Sequence, residues 1–190
     1  VTSGNFCGYL GEYNRRDYYT LHFVAQLDVP ISDSGSWQNE TVKHNTISSQ
    51  GGTGYGDKGI PKLGKGSGVW VDLDLSKQQI ATMQVGISYT SLANARKNLA
   101  QEQPKGTTFS TIRKNGYNIW NNALGKVKIA SDNIEKLTTF YTARFHSQFH
   151  PNIFSDVNGE YLGFDQKVHQ IDKNQEAQYA NFSGWDVYRS

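Results

Sequence analysis

The sequence predicts an α+β chain in which strands come first and helices follow. Three observations predict this. Apolar residues alternate with a period of two in several stretches of residues 1–90. From Ser91 onward the spacing changes to that of amphipathic helices. Capping residues, prolines and glycines then mark where each helix starts and stops.

In the first stretch, Tyr19, Leu21, Phe23, Ala25 and Leu27 share one strand face, with His22 and Gln26 on the other. Asn14-Arg15-Arg16-Asp17 before it reads as a hairpin loop. Val69, Val71, Leu73 and Leu75 alternate with Asp72 and Asp74, which predicts a half-buried strand. Residues 80–89 continue the pattern with Ile80, Thr82, Val85, Ile87 and Tyr89. Gly51 to Gly68 contains eight glycines and reads as a long surface connection.

Ser91 is placed to cap a helix carrying Leu92, Ala95 and Leu99, which Pro104 stops. A second helix starts near Thr108. It sets Phe109, Ile112, Gly116, Trp120 and Leu124 on one stripe and ends at Gly125. Val127 to Ala130 reads as a short strand. Asp132 with Glu135 forms a capping-box pattern, and the helix behind it carries Ile134, Leu137, Tyr141 and Phe145 up to Pro151. Asn158-Gly159, between Phe154-Ser155-Asp156 and Tyr161, is a type I′ hairpin signal. Extended residues run on to Tyr179. Ser183 with Asp186 is a further cap, and the helix it opens has only Gly184 to Ser190 available. Strands, then helices, then a helix of one turn predict a segment that crosses two domains of a longer protein.

The chain has 190 residues, long enough for one domain or pieces of two. Aromatic content of 13% and a net charge of +2 argue against disorder and against a nucleic-acid surface. No apolar run is long enough for a membrane-spanning helix. The lone cysteine, Cys7, excludes an internal disulfide and a cysteine-based zinc site. Nineteen glycines and many Asn, Gln, Ser, Thr and Tyr give a composition like that of secreted proteins, so a secreted or periplasmic location is expected. The sequons Asn39-Glu40-Thr41 and Asn181-Phe182-Ser183 matter only in a secretory pathway.

Several local patterns resemble chemical sites, and for most of them the structural reading is favoured. Gly59-Ile60-Pro61-Lys62-Leu63-Gly64-Lys65-Gly66 is close to a phosphate-binding loop, but Gly66 replaces the Ser or Thr whose hydroxyl holds Mg²⁺. A strand, not a helix, follows it, so it reads as a plain loop. His146 and His150 are four apart at the end of a helix. A zinc protease needs Glu after the first histidine and Ser147 stands there, so a structural role is favoured. Of the tryptophans, Trp120 reads as core and Trp70 as partly exposed. All four tryptophans, Trp37 included, could stack on sugar rings, but a buried role is the commoner explanation. Trp185 stands beside Asp186, with Arg189 three residues after it on the same helix face. The simple reading of that trio is a cap with a surface ion pair. The alternative is a carboxylate and guanidinium presented to vicinal hydroxyls.

Five stretches together resemble glycoside hydrolase family 92, the calcium-dependent α-mannosidases. Trp70-Val71-Asp72 through Val85-Gly86-Ile87-Ser88-Tyr89-Thr90-Ser91 resembles the family's last sandwich strands running into its linker helix. Ala93-Asn94-Ala95 and Asn98-Leu99 continue the match. Phe140-Tyr141-Thr142-Ala143 with His146 resembles its FYTALYH-like helix. Phe154-Ser155-Asp156-Val157-Asn158-Gly159-Glu160-Tyr161-Leu162-Gly163 resembles its SDVDGxYxG hairpin. Phe182-Ser183-Gly184-Trp185-Asp186-Val187-Tyr188-Arg189 resembles its FSLWDTYR element, with Gly184 where Leu is common. The resemblance covers residues 70–190 well and the earlier part more loosely.

The resemblance implies an N-terminal β-sandwich, a helical linker and an (α/α)6 barrel. Residues 1–90 would be the closing strands of the sandwich, 91–125 the linker, and 126–190 the start of the barrel. It implies an exo-acting enzyme that hydrolyses terminal α-linked mannose, often α-1,2, with inversion. Inversion needs one carboxylic acid and one carboxylate base. By the resemblance these, and the ligands of the calcium cofactor, lie outside this chain, so no catalytic residue and no metal ligand is assigned here. Trp185 and Asp186 match the element that contributes to the terminal-mannose subsite, with Arg189 either orienting Asp186 or meeting the sugar. The expected partners are mannose-containing glycans and the remainder of the barrel domain, with no nucleic acid and no membrane. The chain alone is expected to be inactive, and its linker helices are expected to expose apolar stripes without the rest. A carbohydrate-binding β-sandwich module without catalysis is the alternative.

Overall fold

The computed structural model describes residues 2–7, 16–49 and 67–180. The chain divides into two compact units, residues 1–85 and 86–190.

The first unit is built of antiparallel strand pairs. Strand β1 (Thr2–Cys7) pairs with β2 (Arg16–Leu27), from Thr2↔Leu21 to Cys7↔Arg16. Arg16 and Asp17 therefore belong to the strand rather than to a loop, and residues 14 and 15 lie outside the described residues. Strand β3 (Ile31–Gln38) pairs on one side with β4 (Thr41–His44) and on the other with β5 (Ser67–Leu73). The β3–β4 turn is tight, and Asn39 takes the left-handed conformation there (φ 54°). Asn tolerates that region better than other side chains. Strand β6 (Met83–Ser88) completes a second sheet of order β1-β2-β6, and the division between the units falls inside it.

The alternation in β5 is present, but the face is reversed. Val69 and Val71 are exposed, whereas Gly68 and Trp70 are half-buried. Leu73 is half-buried and Leu75 lies exposed beyond the strand. The cause is a pair of cross-strand partnerships. Gly35 is in register with Trp70, and Trp37 with Gly68. A Cβ on Gly68 would stand 2.5 Å from the Trp37 ring, and one on Gly35 would stand 2.9 Å from the Trp70 ring. Each indole covers the surface a glycine leaves open, and two indoles outweigh two valines in choosing the covered face. His44 meets the Trp70 ring edge-on at 4.9 Å, and its Nδ1 is 2.7 Å from Asp33. That hydrogen bond holds the Asp33 carboxyl below its ordinary value.

The second unit opens with three helices. Helix α1 spans Leu92–Glu102. Its cap is Ser91, whose Oγ accepts from the Asn94 N–H. Helix α2 (Phe109–Leu124) is capped by Thr108 and closes at Gly125. Helix α3 (Ile134–His146) starts one residue later than expected. Its cap is Asn133, whose Oδ1 accepts from the Lys136 N–H, and Glu135 sits in the first turn, where a negative charge is favoured. Short antiparallel pairs follow: β7 (Asn152–Ile153) and, beyond it, β8 (Glu160–Leu162) with β9 (Val168–Gln170). Strand β10 (Tyr179–Ala180) returns to pair with β7.

Three further expectations change. Residues 127–130 form no strand. The Val127 carbonyl instead accepts from the Tyr141 hydroxyl, while Arg144 donates to the carbonyls of Ala123 and Leu124 at the end of α2. Side chains of α3 thus satisfy one carbonyl of the expected strand and the free carbonyls at the end of α2. The Asn158-Gly159 turn is not type I′, because only Gly159 has positive φ (83°) and that type needs it at both central residues. The third change concerns the core. Among the described residues of the second unit, the buried apolar side chains are Ala95, Leu99 and Ala177, while α2 buries none of its stripe. Phe109 is 74% exposed, Ile112 is exposed, and Trp120 is half-buried edge-to-face on Phe145 at 4.4 Å. The apolar stripe of α2 is exposed as expected but that of α1 is not, since Ala95 and Leu99 are buried, and Trp120 is half-buried rather than core.

Candidate functional site

The best-formed polar site among the described residues centres on Asp156, which is buried. Its environment is assembled from three parts of the second unit. The end of β6 supplies Ser88 and Thr90. One face of α1 supplies Asn94 and Asn98, four apart and therefore stacked one turn above the other. The 154–163 hairpin supplies Asp156, Asn158 and Glu160.

Four side-chain donors reach the Asp156 carboxylate. Oδ2 accepts from Ser88 Oγ (2.8 Å), Thr90 Oγ1 (2.5 Å) and Asn94 Nδ2 (2.9 Å). Oδ1 accepts from Asn98 Nδ2 at 2.7 Å. Asn98 is used completely: its amide also donates to the Ile87 carbonyl, and its Oδ1 accepts from the Val157 N–H. The Asn94 amide divides its two protons among Asp156, Thr90 Oγ1 and Glu160 Oε2. Its Oδ1 accepts from Asn158 Nδ2, and Asn158 Oδ1 accepts from the Glu160 N–H. The hydrogen bonds from Asn94 and Asn158 hold the Glu160 carboxyl below its ordinary value.

The hairpin is shaped to deliver these groups. The Gly159 N–H donates to the Asp156 carbonyl, the Asp156 N–H donates to the Glu160 carbonyl, and Gly159 takes the positive φ that closes the loop. A Cβ on Gly159 would stand 2.4 Å from the Gln170 amide and 2.8 Å from Ile171. Gly86 has a similar role on the other side. A Cβ there would lie 2.5 Å from the Ala95 carbonyl and 2.6 Å from Leu99 Cβ, so glycine is what lets β6 and α1 approach.

This arrangement suits positioning rather than proton transfer. Both carboxylate oxygens accept from side-chain donors, three at Oδ2 and one at Oδ1, and buried polar networks fix one geometry when their members are satisfied. It does not fit calcium, which takes six to eight oxygen ligands. Amide nitrogens and hydroxyl protons point at the carboxylate instead. Among the described residues, no three His, Cys, Asp or Glu side chains converge on a metal-sized site.

A second feature is an open cleft of about 470 Å³ lined by Trp120, Gln148, Phe149, His150 and Asn152. His146 is the last residue of α3 and packs on Phe145 and Phe149. His150 lies beyond the helix, so the two histidines do not share a helical face; its Nδ1 is 3.2 Å from Asn152 Nδ2.

Trp185, Asp186 and Arg189 lie outside the described residues, as do the phosphate-loop-like residues 59–66 and the final cap at Ser183. Sequence reasoning did not single out Asp156 as a centre. The signal was present, because its partners all fall in stretches already quoted for the family resemblance: Ser88-Tyr89-Thr90, Asn94, Asn98 and Asp156 to Glu160.

The comparisons with known proteins agree with that convergence. The model of the glycosyl hydrolase family 92 catalytic domain matches residues 94–190, half of the chain. No curated protein sequence matches. Among solved structures, the chain is similar to the GH92 family glycosyl hydrolase ccman5, with 23% identity and a TM-score of 0.71 over 96% of this chain and 22% of that one. It is similar to the family GH92 α-mannosidase BT3965 from Bacteroides thetaiotaomicron, with 24% identity and a TM-score of 0.59 over 92% of this chain and 22% of that one. It is also similar to the family GH92 inverting mannosidase BT2199 from Bacteroides thetaiotaomicron VPI-5482, with 20% identity and a TM-score of 0.63 over 88% of this chain and 21% of that one. The chain thus spans about a fifth of the length of the structures it matches. With half its length matched by the catalytic-domain model, this chain belongs to glycosyl hydrolase family 92.

Proposed function

We propose that the chain is part of an exo-acting α-mannosidase that removes terminal α-linked mannose with inversion. The observation that carries this reading is the catalytic-domain match over residues 94–190. Support comes from the fold shared with an α-mannosidase and an inverting mannosidase, the former also solved in complex with mannoimidazole. On this reading residues 1–90 close a β-sandwich, 91–125 form a linker and 126–190 begin an (α/α)6 barrel.

Trp185 and Asp186 form part of the terminal-mannose subsite. Asp186 accepts hydrogen bonds from sugar hydroxyls, Trp185 supplies an apolar wall, and Arg189 orients Asp186 or meets the sugar. The catalytic acid, the base that activates water and the calcium ligands belong to other parts of the protein. The 190-residue segment by itself is therefore inactive. The protein meets its glycans outside the cytoplasm, secreted or in a periplasm.

The test is release of mannose from α-1,2-mannobiose by the full-length protein, with calcium and after EDTA. Calcium-dependent release supports the reading, and no release from any α-mannobioside overturns it.

A further inference from the structure

We propose that Asn158-Gly159 is a latent deamidation site, which the hydrogen bonds around Asn94 and Asp156 hold unreacted in the folded protein. The proposal is independent of the mannosidase reading, since it concerns the chain's own chemistry.

Asn followed by Gly is the dipeptide most prone to deamidation, because glycine leaves its backbone nitrogen open to the preceding side chain. In this reaction the Gly159 nitrogen gives its proton to a solvent base and attacks Asn158 Cγ. A bond forms between the two atoms, the Cγ–Nδ2 bond breaks, and ammonia leaves. Water then opens the succinimide at either carbonyl, which puts aspartate or isoaspartate at position 158. No atom is oxidised or reduced. The sequence holds two such pairs, Asn115-Gly116 and Asn158-Gly159. Both asparagines are exposed, so water and base reach both.

Asn115-Gly116 lies inside helix α2, where the helical hydrogen bonds hold the backbone. Asn158-Gly159 lies in a hairpin loop and is held differently. The Gly159 N–H, which must lose its proton, donates to the Asp156 carbonyl at 2.8 Å, and the Gly159 carbonyl accepts from the Ile171 N–H at 3.0 Å. Asn158 Nδ2, the leaving group, donates to Asn94 Oδ1 at 3.2 Å, and Asn158 Oδ1 accepts from the Glu160 N–H at 3.2 Å. The Asn158 carbonyl accepts from Gln170 Nε2 at 2.9 Å. Asn94 is itself anchored on Asp156 and Glu160. Cyclisation must swing Cγ away from Asn94 and free the Gly159 nitrogen from the Asp156 carbonyl. The carboxylates of Asp156 and Glu160 also oppose negative charge developing on that nitrogen. Isoaspartate would lengthen the backbone of a loop that is already tight, since a Cβ on Gly159 would stand 2.4 Å from the Gln170 amide. Reaction in the folded protein therefore passes through opened hairpins, and its rate follows their population.

The experiment incubates the full-length protein at mildly alkaline pH. Mass spectrometry follows the peptides that contain Asn115 and Asn158, and isoaspartate is assayed separately. Folded wild type is compared with wild type unfolded in urea and with Asn94→Ala, which removes the acceptor for Asn158 Nδ2 and the donor to Asp156 and Glu160. Gln170→Ala, at an exposed position of β9, removes the donor to the Asn158 carbonyl and serves where Asn94→Ala does not fold. We expect Asn158 to react about a hundredfold or more slowly in folded wild type than in urea. We expect the reaction to be about tenfold faster in folded Asn94→Ala and severalfold faster in Gln170→Ala, with Asn115 unchanged. Folded wild type that loses Asn158 as fast as the unfolded chain overturns the proposal. So does an unreactive Asn158 in urea, because the site is then not latent. A wild-type rate retained in the folded variant overturns it, because protection then does not come from these bonds. An equal rise at Asn115 and Asn158 overturns it as well, because the variant then opens as a whole.

Discussion

Asn98 Nδ2 and Asp156 Oδ1 stand 2.7 Å apart across 58 residues of sequence. With the bonds of Asn94 to Asp156, Asn158 and Glu160, this bond joins helix α1 to a hairpin that neither periodicity nor turn chemistry would place beside it. The same asparagine also holds Ile87 and Val157. Asn98→Ala should therefore destabilise the second unit by about 2–4 kcal/mol. That covers a lost charge-assisted bond plus unpaired buried backbone groups. The urea midpoint of the full-length protein measures it. A midpoint within error of wild type would show that the network is not cooperative.

Gly86 tests close approach rather than polarity. Gly86→Ala sets a methyl against the Ala95 carbonyl and Leu99 Cβ, both far inside contact distance. Overpacking of this kind costs about 1–3 kcal/mol. Thermal unfolding should show a lowered midpoint. An unchanged midpoint would mean that β6 and α1 separate without cost.

Glu160 predicts a pH dependence. Its folded-state pKa lies below the ordinary 4.5 because Asn94 and Asn158 bond the charged form. A depressed carboxyl stabilises the fold fully above the unfolded value and loses that contribution as pH falls through the folded one. Thermal stability of the hairpin region should thus fall as pH drops below about 4.5. Glu160→Gln keeps the acceptor for Asn94 but removes the titration, and should flatten this part of the profile. An identical acid limb in the variant would assign the effect to other carboxyls. Asp28, Asp33, Asp74 and Asp165 have lowered values as well.

Asp186→Ala tests the proposed sugar subsite. Loss of a charge-assisted hydrogen bond to mannose hydroxyls should lower kcat/KM on an α-mannobioside roughly ten- to hundredfold. Unchanged kcat/KM would remove Asp186 from the subsite.

Local signals were legible in the sequence wherever a residue acts on its neighbours. Ser91, Thr108 and Gly125 mark helix ends as expected, since capping is decided within four residues. The choice between Asp132 and Asn133 was not legible, because both can cap and only the bond to Lys136 N–H separates them. The covered face of β5 was not legible either. Alternation gives the period, but Gly35 and Gly68 on opposite strands decide where Trp70 and Trp37 lie. The strand expected at 127–130 is absent, and the partner that its first carbonyl takes is non-local, the Tyr141 hydroxyl on Val127. The Asp156 cluster is wholly non-local. Its residues could be recognised as motifs one at a time, but their meeting depends on the fold.

The most direct test of the account is ¹H NMR of the full-length protein acting on α-1,2-mannobiose in the presence of calcium, recorded from the first minutes. The account predicts that the mannose released first is the β-anomer, with the α-anomer growing in only by mutarotation, and that EDTA stops release. First appearance of the α-anomer, or no release of mannose at all, would contradict it.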